Sequence, residues 1–196
     1  MIYILMGVSG CGKSSLGAVL SQKFGWPLHE GDEFHPLENI EKMARGEALT
    51  DQDRFPWLLR LHEVIERERC CGGNALVACS ALKRLYRQIL LYGTRAFTCS
   101  QSGSQQEVPP PPPLPPACSD ICFLFLHGDY HVIYQRLASR KGHYMKAILL
   151  RSQFDTLEPP SDEENVLSLD ITTNTITDMV EKVEKHLMSR KKLLLV

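Results

Sequence analysis

The feature that most constrains this chain is Gly7-Val8-Ser9-Gly10-Cys11-Gly12-Lys13-Ser14, which satisfies G-x-x-x-x-G-K-[ST] at every defined position. Before it, Ile2-Tyr3-Ile4-Leu5-Met6 is apolar and β-prone, as a buried strand requires. After it, Leu16, Val19, Leu20 and Phe24 recur at helical spacing and give one apolar face. A glycine-rich turn that binds nothing is the alternative, and the flanking strand and helix weigh against it. Glycines let successive backbone N–H groups converge on phosphate oxygens. The following helix N-terminus adds partial positive charge. Lys13 is expected to reach the β- and γ-phosphates and the Ser14 hydroxyl to bind magnesium. Gly7 to Ser14 are therefore the predicted nucleoside-triphosphate site.

The remaining chain alternates strand and helix signals. Trp26 to Glu30 reads as a second strand, and Gly25 as the stop of the first helix. Leu37 to Arg54 is polar and charged with weak helical pattern, and is predicted to be a mobile substrate-binding insert spanning 31–55. Pro56 is predicted to begin a helix with Trp57, Leu58, Leu61, Val64 and Ile65 inward, ended by Gly72-Gly73. Ala75 to Cys79 is a continuous apolar run, typical of a central parallel strand. Lys83 to Tyr92 reads as helix. Ile121 to Leu126 reads as strand, the run from Tyr130 to Leu137 as amphipathic helix, and Ala147 to Thr156 as another. Val166 to Asp170 is a fifth strand. A last helix is predicted to turn Ile176, Met179, Val180, Val183 and Leu187 inward, with Thr175 and Asp178 at capping-box spacing. The pattern predicts an α/β fold with a doubly wound five-stranded parallel sheet, the nucleotide lying at the carboxyl ends of its strands. Residues 1–190 read as one domain and 191–196 as a frayed tail.

Between residues 94 and 119 the pattern collapses. Seven of the twelve prolines fall between Pro109 and Pro116. This stretch reads as a disordered surface insertion, in preference to a polyproline ligand for an aromatic groove.

Composition removes several function classes. A net charge of -1 offers no field for nucleic acid or an anionic membrane. No apolar run approaches the roughly 20 residues of a membrane span. The seven cysteines show no C-x-x-C and no paired framework, so they read as reduced thiols of a cytoplasmic protein. With a strand starting at Ile2, no leader segment is expected. His127 and His131 are four apart without an evident third ligand, and read as ordinary polar residues.

Three kinds of phosphate-loop protein compete. A guanine-reading Asn-Lys-x-Asp does not occur, which argues against a regulatory GTPase. The central strand ends in Cys79-Ser80-Ala81 without an acid, which argues against a motor or transporter ATPase. A small-molecule kinase fits the short chain, the acids closing strand two, the insert after them and the basic stretch late in the chain.

Specific stretches then carry a resemblance. They are Gly31-Asp32-Glu33-Phe34-His35-Pro36, Asn39 to Met43, Leu49 to Arg54 with Pro56-Trp57-Leu58, Cys79 to Lys83 with Tyr86-Arg87, Arg140 to Tyr144, and Ser152 to Pro159. Together with the phosphate loop, and in this order, they resemble the gluconokinase family, relatives of shikimate kinase and adenylate kinase. The resemblance covers nearly the whole chain except about residues 95–119. It implies a nucleoside-monophosphate-kinase-like fold with a lid over 139–147, and a homodimer. It implies transfer of the ATP γ-phosphoryl, with Mg2+, to the 6-hydroxyl of D-gluconate. The alternatives are another small hydroxy acid such as shikimate, or a non-catalytic nucleotide-binding module that recruits a partner through the proline stretch.

Residue chemistry agrees with the resemblance. Arg54 offers a fork for a carboxylate. Asp32 is a candidate to orient, and accept the proton of, the attacking hydroxyl. His35, Lys83, Arg87 and Gln153 are further candidate substrate contacts, with surface salt bridges or plain surface polarity as their ordinary alternatives. Arg136, Arg140 and Lys141 are candidate cations for the transferring phosphoryl, with Gly142 a candidate hinge. Glu30 stands where the family commonly has a second aspartate, and is expected to hold magnesium through water. Thr50 replaces a usual asparagine, and the proline-rich connection is unusually long.

Overall fold

The computed structural model describes residues 1–98, 120–139, 150–160 and 165–193. Most of the proline-rich stretch, Arg140, Lys141, Gly142, the first residues of the helix predicted from Ala147, and residues 194–196 lie outside them.

Five strands form one parallel sheet: β1 (Ile2–Met6), β2 (Leu28–Glu30), β3 (Ala75–Ala78), β4 (Ile121–His127) and β5 (Val166–Asp170). Their spatial order is β2-β3-β1-β4-β5. The helices are α1 (Lys13–Phe24), α2 (Leu37–Ala44), α3 (Asp51–Cys70), α4 (Arg84–Tyr92), α5 (Arg95–Thr98), α6 (Tyr130–Ala138), α7 (Leu150–Thr156) and α8 (Ile176–Leu193), with a 3-10 turn over Gly31–Phe34. From β1 the chain winds first toward β2 and β3, then returns past β1 to β4 and β5. Crossovers in both directions from β1 place helices on both faces, as in doubly wound sheets. The reversal at β1 opens a crevice at its carboxyl end, where such sheets bind ligands.

The apolar runs behave as expected of a sheet covered on both sides. Every residue of β1 is fully buried, as are Ala75, Leu76 and Val77 of β3. Each such aliphatic side chain contributes on the order of 2 kcal/mol of transfer free energy. Register places Glu30 beside Ala78 and Met6 beside Phe125. The chain segments leaving β1, β2 and β3 therefore emerge side by side. Gly31 follows β2 because a Cβ there would sit 2.3 Å from the Ala78 carbonyl oxygen.

Caps explain most element ends. Gly25, with φ 69°, closes α1 by donating to the Ser21 carbonyl, as predicted. Asp129 caps α6 through the His131 and Val132 N–H groups. Thr175 and Asp178 form the predicted reciprocal pair before α8.

Three expectations are corrected. The insert, with its weak helical pattern, holds α2 and the first turn of α3. The Thr50 side chain accepts from the Asp53 N–H while the Asp53 carboxylate accepts from the Thr50 N–H, at 3.3 and 2.7 Å. This capping box starts α3 at Asp51, so Pro56 lies inside the helix and not at its first position. The Lys42 ammonium reaches Asp53 at 2.7 Å, and buried Asn39 donates to the Asp53 carbonyl at 2.8 Å, tying α2 to α3. Lys42, with the Thr50 N–H and hydroxyl, holds the Asp53 carboxyl down at about 2. Threonine in place of asparagine at position 50 thus keeps an effective cap. Secondly, Ile176 is not inward: it is 41% exposed, because the first turn of α8 overhangs the cavity mouth. Thirdly, β2 begins only at Leu28, since Trp26 is turned to stack on Tyr3.

Candidate active site

The phosphate loop curls between β1 and α1 with positive φ at Gly7, Gly10 and Gly12. At Gly7 the φ of 135° is joined by a close approach: a Cβ would lie 2.3 Å from the Leu126 carbonyl oxygen of β4. Only glycine meets both demands. The Cys11 thiol is buried in this loop, and desolvation pushes its pKa up, so it is packing and not a nucleophile. Lys13 folds back on its own loop, its ammonium donating to the Gly7 and Val8 carbonyls at 3.0 and 3.1 Å. The Ser14 hydroxyl donates to the Glu30 carboxylate at 3.0 Å. Glutamate at the end of β2 therefore reaches the serine hydroxyl despite its extra methylene. One hydroxyl and one carboxylate are the hard oxygen donors that magnesium takes when it arrives with phosphate and water. Among the described residues, no group of three or more His, Cys, Asp or Glu could form a resident metal centre.

A cavity of about 260 Å³ opens in front of the loop. Phosphate-loop residues Ser9 to Ser14 form one wall. Glu30, Asp32, His35 and Arg54 come from the end of β2 and the insert, and Arg136 and Gln153 from α6 and α7. The His35 ring stacks on Trp57 at 4.1 Å between centroids, and the Trp57 indole N–H donates to the Gly31 carbonyl at 2.7 Å. Burial lowers the His35 pKa to about 4, so the imidazole enters the site neutral. Arg54 donates to the Tyr86 hydroxyl at 3.3 Å and lies 5.7 Å from that ring's centroid. The Tyr86 hydroxyl in turn donates to Asp51, which also receives the Lys83 ammonium on both oxygens at 2.9 Å. Lys83 and Tyr86 hold Asp51 below the usual carboxylate range, while burial pushes the Tyr86 phenol up.

Several predicted site residues therefore converge, and others do not. Lys13, Ser14, Glu30, Asp32, His35, Arg54, Arg136 and Gln153 share one cavity. Lys83 does not line it: it is the N-cap residue of α4, and its ammonium is committed to Asp51. Arg87 does not line it either: its side chain is only 1% exposed. Its guanidinium donates to the carbonyls of Ala81, Leu82 and Glu158, at 2.9 Å for the last. Ala81 holds φ 46°, a left-handed conformation unusual for a residue with a Cβ. Arg87 thus fastens a strained turn at the end of β3, where the Ser80 carbonyl accepts the Gly7 N–H at 3.1 Å. Gln153 was expected on substrate but is bonded to the phosphate loop, accepting from the Ser9 N–H at 2.7 Å. Arg136 donates to the Ile171 carbonyl at 3.4 Å at the cavity edge. Arg140 lies outside the described residues.

Sequence reasoning missed Asp51, Tyr86, Trp57 and Asn39 as builders of the site. Each acts through another side chain, across 32 residues in the Arg54–Tyr86 bond. The Thr50–Asp53 spacing was the one local signal that marked where α3, and with it Arg54, begins.

A parallel sheet of this order, a phosphate loop at its switch point and an insert that brings Arg54 into the cavity in front of that loop define a phosphate-loop kinase of the nucleoside-monophosphate-kinase-like kind. No family model matches the chain. A probable gluconokinase of Xenopus tropicalis is 43% identical over 184 residues, covering 94% of this chain and 92% of the relative. The thermoresistant gluconokinase of Escherichia coli K12 is 37% identical over 188 residues, covering 94% of each. A crystal structure of a gluconokinase from Sinorhizobium meliloti 1021 superposes with a TM-score of 0.75 at 34% identity, covering 98% of this chain and 94% of that one. The chain belongs to the gluconokinase family, and is an ATP-using kinase.

Proposed function

We propose that this chain transfers the γ-phosphoryl group of ATP to the 6-hydroxyl of D-gluconate, giving 6-phosphogluconate. The observation that carries the reading is a single cavity with the phosphate loop on one wall and Arg54, His35 and Asp32 on the other. Family membership supplies the acceptor.

Each residue has work suited to its chemistry. The Gly7 to Ser14 loop and Lys13 hold the phosphates; Lys13 exchanges two backbone carbonyls for charged oxygens, a stronger set of bonds. Arg54 takes the substrate carboxylate through its guanidinium fork. Neutral His35 offers one donor and one acceptor to sugar hydroxyls. Asp32, at the N-terminal end of the 3-10 turn, orients the attacking hydroxyl and accepts its proton. Arg136 adds positive charge at the cavity edge, where the equatorial phosphoryl oxygens gain charge. Ser14 and, through water, Glu30 would hold Mg2+, which neutralises phosphate charge when bound. Five free thiols among the described residues (Cys11, Cys70, Cys71, Cys79 and Cys122) support a reducing, cytoplasmic location. Among the described residues, no helix is long and apolar enough to cross a membrane. The family suggests a homodimer.

The test is coupled ADP release with Mg-ATP and gluconate, shikimate, AMP, glucose, glycerate or no acceptor. Release with gluconate alone is expected. Release with shikimate in its place would reassign the substrate. ATP binding without release for any acceptor would refute the kinase reading in favour of a nucleotide-binding module.

A further inference from the structure

Three of the groups that the phosphate loop would direct at a nucleotide, the Lys13 ammonium, the Ser14 hydroxyl and the Ser9 N–H, are bonded within the protein. Lys13 is bonded to the carbonyls of Gly7 and Val8, and Ser14 to Glu30. These partners lie in the loop itself or, for Glu30, at the end of β2, within 16 residues in sequence. The third occupant is remote. The Ser9 N–H donates to the Gln153 side-chain oxygen at 2.7 Å, 144 residues away in sequence. The Gln153 amide NH2 donates to the Ser9 hydroxyl at 3.3 Å. A backbone N–H can only donate, so the amide must present its oxygen there; its orientation is dictated by the loop.

The helix that carries Gln153 is anchored elsewhere. Gln153 is 8% exposed, and the next residue, Phe154, packs edge-on against Tyr130 of α6. Beyond α7, the Glu158 N–H donates to the Leu82 carbonyl at 2.8 Å, and the Glu158 carbonyl accepts from buried Arg87. The Glu158 carboxylate receives the Arg84 N–H at the start of α4, at 2.7 Å. One end of α7 is therefore tied to the turn after β3, while its middle holds the phosphate loop.

We propose that Gln153 is a positioning residue that stands in for a phosphate oxygen at the Ser9 N–H, and that the nucleotide must displace it to bind. Amide oxygen and phosphate oxygen cannot both lie within hydrogen-bond distance along one N–H direction. The phosphate prevails because a charged acceptor bonds roughly twice as strongly as a neutral one. The amide bond keeps the Ser9 N–H satisfied and holds the loop in shape until phosphate takes its place. It also couples α7 to occupancy of the loop, since release of the amide removes a direct tie between the helix and the Ser9 N–H. Nucleotide affinity is lowered by the bond that is given up, a factor of about five for a typical neutral hydrogen bond.

The proposal rests on the phosphate-loop reading but not on the identity of the acceptor. The test is calorimetric titration of the full chain with the magnesium imido analogue of ATP, comparing wild type with Gln153→Ala, Gln153→Met and Gln153→Glu. The Met variant keeps side-chain volume, so packing of α7 survives if Ala disturbs it. Ala and Met are expected to bind the analogue about fivefold more tightly than wild type, and Glu to bind it at least about tenfold more weakly, because its carboxylate takes the N–H and repels phosphate. A residue that merely supports the loop would weaken binding on truncation. Unchanged or weaker binding in both Ala and Met overturns the proposal. Failure of the wild type to bind the analogue would instead overturn the phosphate-loop reading itself.

Discussion

Tyr86→Phe isolates the device that aims Arg54. The change removes one oxygen and leaves the ring, so the guanidinium keeps its cation–π contact at 5.7 Å. Two bonds are lost: Arg54 to the hydroxyl at 3.3 Å, and the hydroxyl to Asp51. Asp51 retains Lys83 on both oxygens, so no buried charge is stranded. The remaining effect is the loss of one long, partly buried hydrogen bond to a cation, about 1 kcal/mol of positioning. At 1.4 kcal/mol per decade this is a rise of about fivefold in KM for gluconate. Because the proposed bond from Arg54 to the carboxylate is made in ground and transition states alike, kcat should stay within about twofold. KM for ATP should not move, since the phosphate loop is untouched. Steady-state kinetics in both substrates is the assay. A double-mutant cycle sharpens it: in an Arg54→Ala background, Tyr86→Phe should have no further effect on KM for gluconate. An unchanged KM in the single mutant, or an equal further loss in the double, refutes the claim that Tyr86 works through Arg54.

Three other outcomes are expected. Lys13→Ala should lower kcat by about three decades or more, through loss of a charge that meets the transferring phosphoryl; near-wild-type turnover would refute its role. His35, neutral in the folded protein down to about 4 but ordinary at 6.5 when unfolded, lets the unfolded chain bind a proton first. Stability is thus complete above 6.5 and falls as pH drops toward 4, by about 2 kcal/mol at pH 5 from this group alone. Urea denaturation at pH 7.5 and 5 should show the loss, and His35→Gln should reduce it; an identical pH dependence in the variant would refute the assignment. Thr50→Ala should cost about 1 kcal/mol by breaking the capping box, whereas Thr50→Asn should stay near wild type; equal losses in both would show that the cap is not the cause.

What the sequence alone determined follows from short-range physics. The apolar runs of β1, β3 and β4 need two covered faces, and strand, glycine loop and lysine together prescribe a phosphate site. Gly25 and the Thr175–Asp178 pair set helix ends through bonds to chain neighbours. Glu30, Asp32 and His35 were legible because they follow directly from the end of a strand. Other roles depend on partners brought together only by the folded sheet. Lys83 and Arg87 are cations near the site, yet one is bound to Asp51 and the other buried beneath the turn at Ala81. No local pattern distinguishes such a cation from one that meets substrate. Arg54 is aimed by a hydroxyl on another helix, and Gln153 faces the phosphate loop from the far end of the chain. Hydrogen bonds act over about 3 Å regardless of sequence separation. The sequence therefore placed the loop and the acids that follow the strands, and the tertiary structure decided which polar groups reach the cavity and which hold it in shape.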